Sequence, residues 1–148
     1  MKAALTRSPG FASLAIRARL WQPWSHGLII ESASTIVDST FKLGGVRRRS
    51  FRDAMTSASA VRYMDFKLDR ETEARDFYHA QVGKGYDWRA GFGILTSSRE
   101  WRDDVVWFCW ELIAAAIEKG SAYRFDDVSV VTARDLLRAE RVLMGLEP

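Results

Sequence analysis

The chain has one cysteine and two histidines, and it has no long apolar run, internal repeat, low-complexity tract or linker. A single cysteine cannot close an internal disulfide, and it excludes structural zinc held by several thiolates. A reducing compartment is compatible with that count. The opening segment, "MKAALTRSPGF", has no apolar stretch long enough for a signal peptide. No run approaches the length of a transmembrane helix. The expectation is a protein of the cytoplasm or of a larger assembly, with no transmembrane segment.

What is present fits one globular domain over residues 1–148. A chain of this length buries a substantial core without staples. Its 47% hydrophobic and 28% charged residues are those of a folded protein. Aromatic residues make up 12%, with six tryptophans, which points to a wide aromatic core or a groove lined with rings. The net charge is only +3. The one dense basic run, "VRRRSFR" from Val46 to Arg52, reads as a solvated strand end, the alternative being contact with an anionic polymer. No specific nucleic-acid partner is expected.

The first half of the chain reads as strands. "ASLAIRA" alternates around Leu14 and Ile16, "SHGLIIE" and "STIVDST" are short and β-branched, "GGVRRRSF" follows a Gly-Gly turn signal, and "SAVRYMDFKL" alternates again. The second half reads as helices: "DRETEARDFYHAQVGKG", "DDVVWFCWELIAAAIEKG" and "TARDLLRAERVLMG". Between them "GYDWRAGFGILTSS" is ambiguous between helix and loop. Strands followed by helices predict an α+β fold, with helices packed on an antiparallel sheet.

Cys109 falls near the start of its predicted helix, His26 opens a predicted strand, and Asp38 lies on the next one. A cysteine nucleophile needs a base within reach, a group to orient that base, and N–H donors for the oxyanion. If the two strands pair antiparallel, His26 and Asp38 come side by side and supply the first two. The alternative is that Cys109, which lies on the apolar stripe of its helix, is a packing residue like many free cysteines. His26 and Asp38 would then be an ordinary structural histidine and a turn residue. His79, in a charged helix pattern, is given no role.

"PWSHGLII", "TIVDSTFKLGGVRRR", "GYDWRAGFGIL" and "WFCWELIAAAIEKG", in this order, resemble the permuted NlpC/P60 branch of papain-like cysteine hydrolases. This branch includes YiiX-like proteins and lecithin:retinol acyltransferase relatives. The resemblance spans roughly Pro9 to Leu137. It implies a permuted papain-like fold, with Cys109 as nucleophile, His26 as general base, Asp38 as orienting acid, and no metal or cofactor. Tyr86 resembles an aromatic residue bordering the cleft, with a packed core tyrosine as the alternative. Trp24 and Trp110 are the other candidate substrate contacts. The sequence departs from the pattern at Trp110, where relatives carry a small polar residue, and at Phe11, where they carry Asp. Glu111 matches an acidic position read as structural support.

Three functions are compatible with the resemblance. The first is a cysteine amidase or peptidase on small peptide or peptidoglycan-type amides. The second is a lipid acyl hydrolase or acyltransferase working through the same thioester, for which Trp21, Trp24, Trp107 and Trp110 would form an apolar groove. The third is a non-enzymatic binding module of a phage or prophage assembly.

Overall fold

The computed structural model describes residues 1–86 and 106–146. Five short segments form one antiparallel sheet: β1 (Lys2–Arg7), β2 (His26–Ile30), β3 (Thr35–Thr40), β4 (Gly45–Ser50) and β5 (Ala60–Asp65), in the order β4-β3-β2-β1-β5. The helices are α1 (Phe11–Leu20), α2 (Phe51–Thr56), α3 (Glu71–Ala80), α4 (Cys109–Gly120) and α5 (Ala133–Leu143). A parallel pair of two-residue strands, β6 (Gly85–Tyr86) and β7 (Val106–Trp107), leads into α4. The architecture is α+β.

Period-two alternation sends successive strand residues to opposite faces. Ala3, Leu5, Ile29 and Val37 join the main core with α4. Ala4, Leu28 and Ile36 form a smaller core against Ala54 of α2 and its neighbours Phe51 and Met55. The sheet is thus covered on both sides, and its centre is dry. Helix α4 carries Leu112, Ile113, Ala116 and Ile117 into the main core, each at most 1% exposed. It lies on β2 where Gly27 leaves room. A Cβ there would sit 2.8 Å from both Ile113 Cδ1 and Trp110 Cδ1.

Two sequence expectations are corrected. "ASLAIRA" is not a strand but helix α1. Its Ile16 and Leu20 pack on the core while Phe11 and Leu14 face out, so apolar residues on two sides imitate strand alternation. The helix expected from Asp103 instead begins at Cys109, after β7. The strand β1, the short helix α2 and the two-residue strands β6 and β7 were not foreseen. The segment from 87 to 105, which holds most of "GYDWRAGFGILTSS", lies outside the described residues.

Candidate active site

Three local devices bring the start of β2 and the start of α4 together. First, Ser25 donates its N–H to Thr6 O at 3.1 Å, extending the β1–β2 ladder one residue before His26. The Ser25 and Ser13 hydroxyls share a 2.6 Å hydrogen bond that ties the same point to α1. Second, Gly45 has φ +133°, and a Cβ there would lie 2.0 Å from Lys84 O. Only glycine lets the edge of β4 approach this closely. Val46 then bonds in both directions across the gap, its N–H to Lys84 O and its carbonyl to the Gly83 N–H, both at 2.9 Å. This anchors β6 and, through it, β7. Third, the hydroxyl of Ser39, next to Asp38, donates to Trp107 O at 2.5 Å. The residue two before Cys109 is therefore pinned to the strand that carries Asp38.

Cys109 is the first residue of α4. There the backbone N–H groups have no partner within the helix. The Glu111 carboxylate reaches back to accept the Phe108 N–H at 3.2 Å and fixes the helix start. The thiol is buried, with Cys109 2% exposed.

β2 and β3 pair through Ile29↔Val37 and Ile30↔Ile36. The paired residues end there, and beyond them the His26 and Asp38 side chains bridge the two strands. His26 Nε2 donates to Asp38 Oδ2 at 2.9 Å. With Nε2 so engaged, Nδ1 is the ring nitrogen left for Cys109, which lies close enough for its charge to act on the imidazole. Burial alone pushes the imidazole towards neutrality. The charge on Cys109, together with hydrogen bonds to Asp38 and Cys109, outweighs burial and raises the His26 pKa from 6.5 to about 10. These contacts favour the charged imidazolium over the neutral ring.

Asp38 is fully buried. Burial opposes its charge, yet hydrogen bonds from His26 and Arg49 hold its pKa below the ordinary carboxylate value. Arg49 grips it with two prongs, Nε to Oδ1 at 3.1 Å and Nη2 to Oδ2 at 2.6 Å. This fork gives both charge and geometry. Sequence reasoning missed Arg49 as part of the cluster. Strand alternation sets Arg47 and Arg49 on the side opposite Arg48, but it does not say which carboxylate they meet. Arg48 does turn away, to Glu31. Of the basic run, Arg48 and Arg49 are thus engaged by carboxylates of the same chain.

The aromatic candidates divide. Trp110 is fully buried, stacked edge-on against Phe108 at 5.4 Å between ring centroids. It offers no surface to a substrate and serves the core. Trp24 is half-buried and packs on the main core. Tyr86 enters β6 opposite Trp107, and its side chain lies outside the described part. Among the described residues, no group of three His, Cys, Asp or Glu side chains is placed to hold a metal. No helix among them is long and apolar enough to cross a membrane.

No family model matches the sequence, and no curated protein matches it either.

Proposed function

We propose that the protein is a cysteine hydrolase of the permuted NlpC/P60, papain-like kind, cleaving small peptide or cell-wall-type amide bonds through a thioester. The observation that carries this reading is the His26–Asp38 hydrogen bond, with the Cys109 thiol near the same ring and at the first residue of a helix. The substrate class comes from the sequence resemblance alone.

In this reading the Cys109 sulfur attacks the amide carbon. The developing oxyanion is met by N–H groups at the start of α4, which the helix leaves unsatisfied and whose dipole favours negative charge. The His26 imidazolium gives its Nδ1 proton to the leaving nitrogen as the C–N bond breaks, which leaves a thioester. Neutral His26 then takes a proton from water as its oxygen attacks the thioester carbon. That proton re-forms the imidazolium, and when the C–S bond then breaks the carboxylic acid departs and the sulfur anion is restored. Asp38 holds the ring so that Nδ1 faces the sulfur, and Arg49 keeps Asp38 ionised and oriented. Because Cys109 is buried, turnover requires an opening above the sulfur.

The test is to react the full chain with peptidyl, acyl and lipid-like electrophiles and locate the adduct by mass spectrometry. The expected result is a single adduct on Cys109, fastest with a peptidyl probe and slowed at least tenfold in His26→Ala. Slow alkylation at equal rates in the two proteins would return Cys109 to the core and leave a binding module. A lipid-like probe reacting fastest would keep the thioester chemistry and replace the substrate.

A further inference from the structure

Helix α1 presents an apolar stripe to solvent. Phe11, Leu14 and Ala18 follow one another at the i, i+3, i+7 spacing of a single helix face, and Trp21 caps the helix just beyond them. All of them are exposed, with Phe11 at 85%, Leu14 at 53% and Trp21 at 86%. The opposite side of the helix holds it to the body of the protein, through buried Ser13 and through Ile16 and Leu20 against the main core. The outward stripe is therefore not a by-product of a loosely attached helix.

Trp21 is the sharpest feature. It caps α1 with φ 48° and ψ 47°, a left-handed conformation. Glycine or asparagine is the usual occupant of such a cap, and a bulky side chain there is strained. It is the one residue other than glycine with positive φ among the described residues. Fold stability alone does not account for a large apolar ring placed in a strained position and turned to water.

Several cations lie near the stripe. At 3.6 residues per turn, Arg17 and Arg19 fall on its two flanks. Arg134 of α5 donates to the Trp21 carbonyl. At the other end, exposed Lys42 lines the same surface depression as Pro9 and Gly10, which lead into α1. The first thirty residues contain no Asp or Glu.

From this arrangement we infer that α1 docks the protein onto an anionic lipid surface. Phe11, Leu14 and Trp21 would enter the headgroup layer while the flanking arginines meet phosphates. Tryptophan and phenylalanine settle at that depth, and arginine stems reach up to the charged plane. A second copy of this chain fits less well. It would bring like charges together, and the three side chains offer on the order of 500 Å². A standard protein interface needs about 800 Å² per partner. Trp21 precedes His26 by five residues, so docking holds the start of β2 within about 18 Å of the lipid headgroups. The docking surface stands whether or not the Cys109 site is a hydrolase.

The test is co-sedimentation of the full chain with unilamellar vesicles, of phosphatidylcholine alone and of phosphatidylcholine with phosphatidylglycerol in equal parts. The expected result is binding to the anionic vesicles at low salt, which weakens as salt rises, and little binding to the neutral ones. Phe11→Ser/Leu14→Ser/Trp21→Ser should abolish it. Arg17→Gln/Arg19→Gln should weaken it about 25-fold at low salt, the factor for two arginines at an anionic surface. This second variant keeps the test alive if the triple one does not fold. No binding to anionic vesicles at low salt would overturn the proposal, as would full binding by the folded triple variant. A dimer that the triple variant dissociates, with no vesicle binding by the parent, would assign the stripe to a second copy instead.

Discussion

The sheet carries two clusters of the same composition, and they behave differently. In one, His26 and Arg49 both contact Asp38, and in the other, His79 and Arg48 both contact Glu31. Each joins an imidazole, a carboxylate and a guanidinium. In the first, the carboxylate is fully buried and the histidine and arginine are about one-quarter exposed. In the second, His79 is 42% and Arg48 59% exposed. Arg48 and Arg49 are adjacent in sequence, and the strand pleat alone sends them to different carboxylates. The lesson is that residue types do not make a site. Glu31 is itself only 12% exposed, but its two partners reach water, so these ion pairs compete with solvent and are worth less. Asp38 has no water to fall back on, so its two partners determine its charge, and the imidazole it orients lies beside a thiol.

The largest expected effect comes from breaking the buried cluster. Asp38→Ala removes the only described carboxylate that Arg49 and His26 share. It leaves their charges partly buried and uncompensated, which costs about 3–5 kcal/mol. Urea unfolding should show a much lower midpoint with an unchanged slope. The Cys109 adduct should also form slowly in whatever fraction stays folded. A loss under about 1 kcal/mol would mean that the cluster is solvated like the other one, and the contrast would fail.

The next effect is pH-dependent. Burial works against a charged His26, but Cys109 and Asp38 overcome it and raise its pKa from 6.5 to about 10. A group whose pKa rises on folding stabilises the fold fully below its unfolded value and loses that contribution as pH climbs through the folded one. Stability should therefore fall between about pH 6.5 and 10. The drop is expected on the order of 2 kcal/mol, discounted for the part of the ring that water reaches. Asp38 works in the other direction, since its lowered pKa adds stability above the ordinary carboxylate range that is lost in acid. The decisive comparison is Cys109→Ser, which removes the charge that contributes most to raising His26. The alkaline drop should shrink in this variant, and an identical drop in both proteins would detach His26 from the thiol.

Much of this site was legible in the sequence, and the reasons differ by residue. β2, β3 and β4 announce themselves by β-branched runs and the Gly44-Gly45 turn, so the adjacency of His26 and Asp38 follows from pairing two short strands. Helix α4 is visible as an apolar stripe, but its start is not. Trp107 joins a strand through pairing with Tyr86, a long-range contact that local periodicity does not carry. That shift matters chemically, because it turns Cys109 from a stripe residue into the first residue of the helix. β1 has no alternating signature because "KAALTR" is buried on both faces in the middle of the sheet. Arg49 was hidden because the partner of a charged strand residue depends on register, which the sequence leaves open.

The smallest effect expected is at the exposed cluster, and it sharpens the contrast most directly. Arg48→Ala removes a guanidinium that is more than half exposed. Glu31 keeps its hydrogen bond to His79 and access to water, so no charge is stranded. The change should cost under about 1 kcal/mol, and less at high salt, where screening has already weakened the pair. Arg49→Ala, one residue along, should cost several times more and respond weakly to salt, because Asp38 would lose its fork while fully buried. Urea midpoints of the two variants at low and high salt give the comparison in one experiment. Equal losses with equal salt dependence would show that the pleat separates two surfaces of the same kind, and the distinction between a buried and a solvated cluster would have to be abandoned.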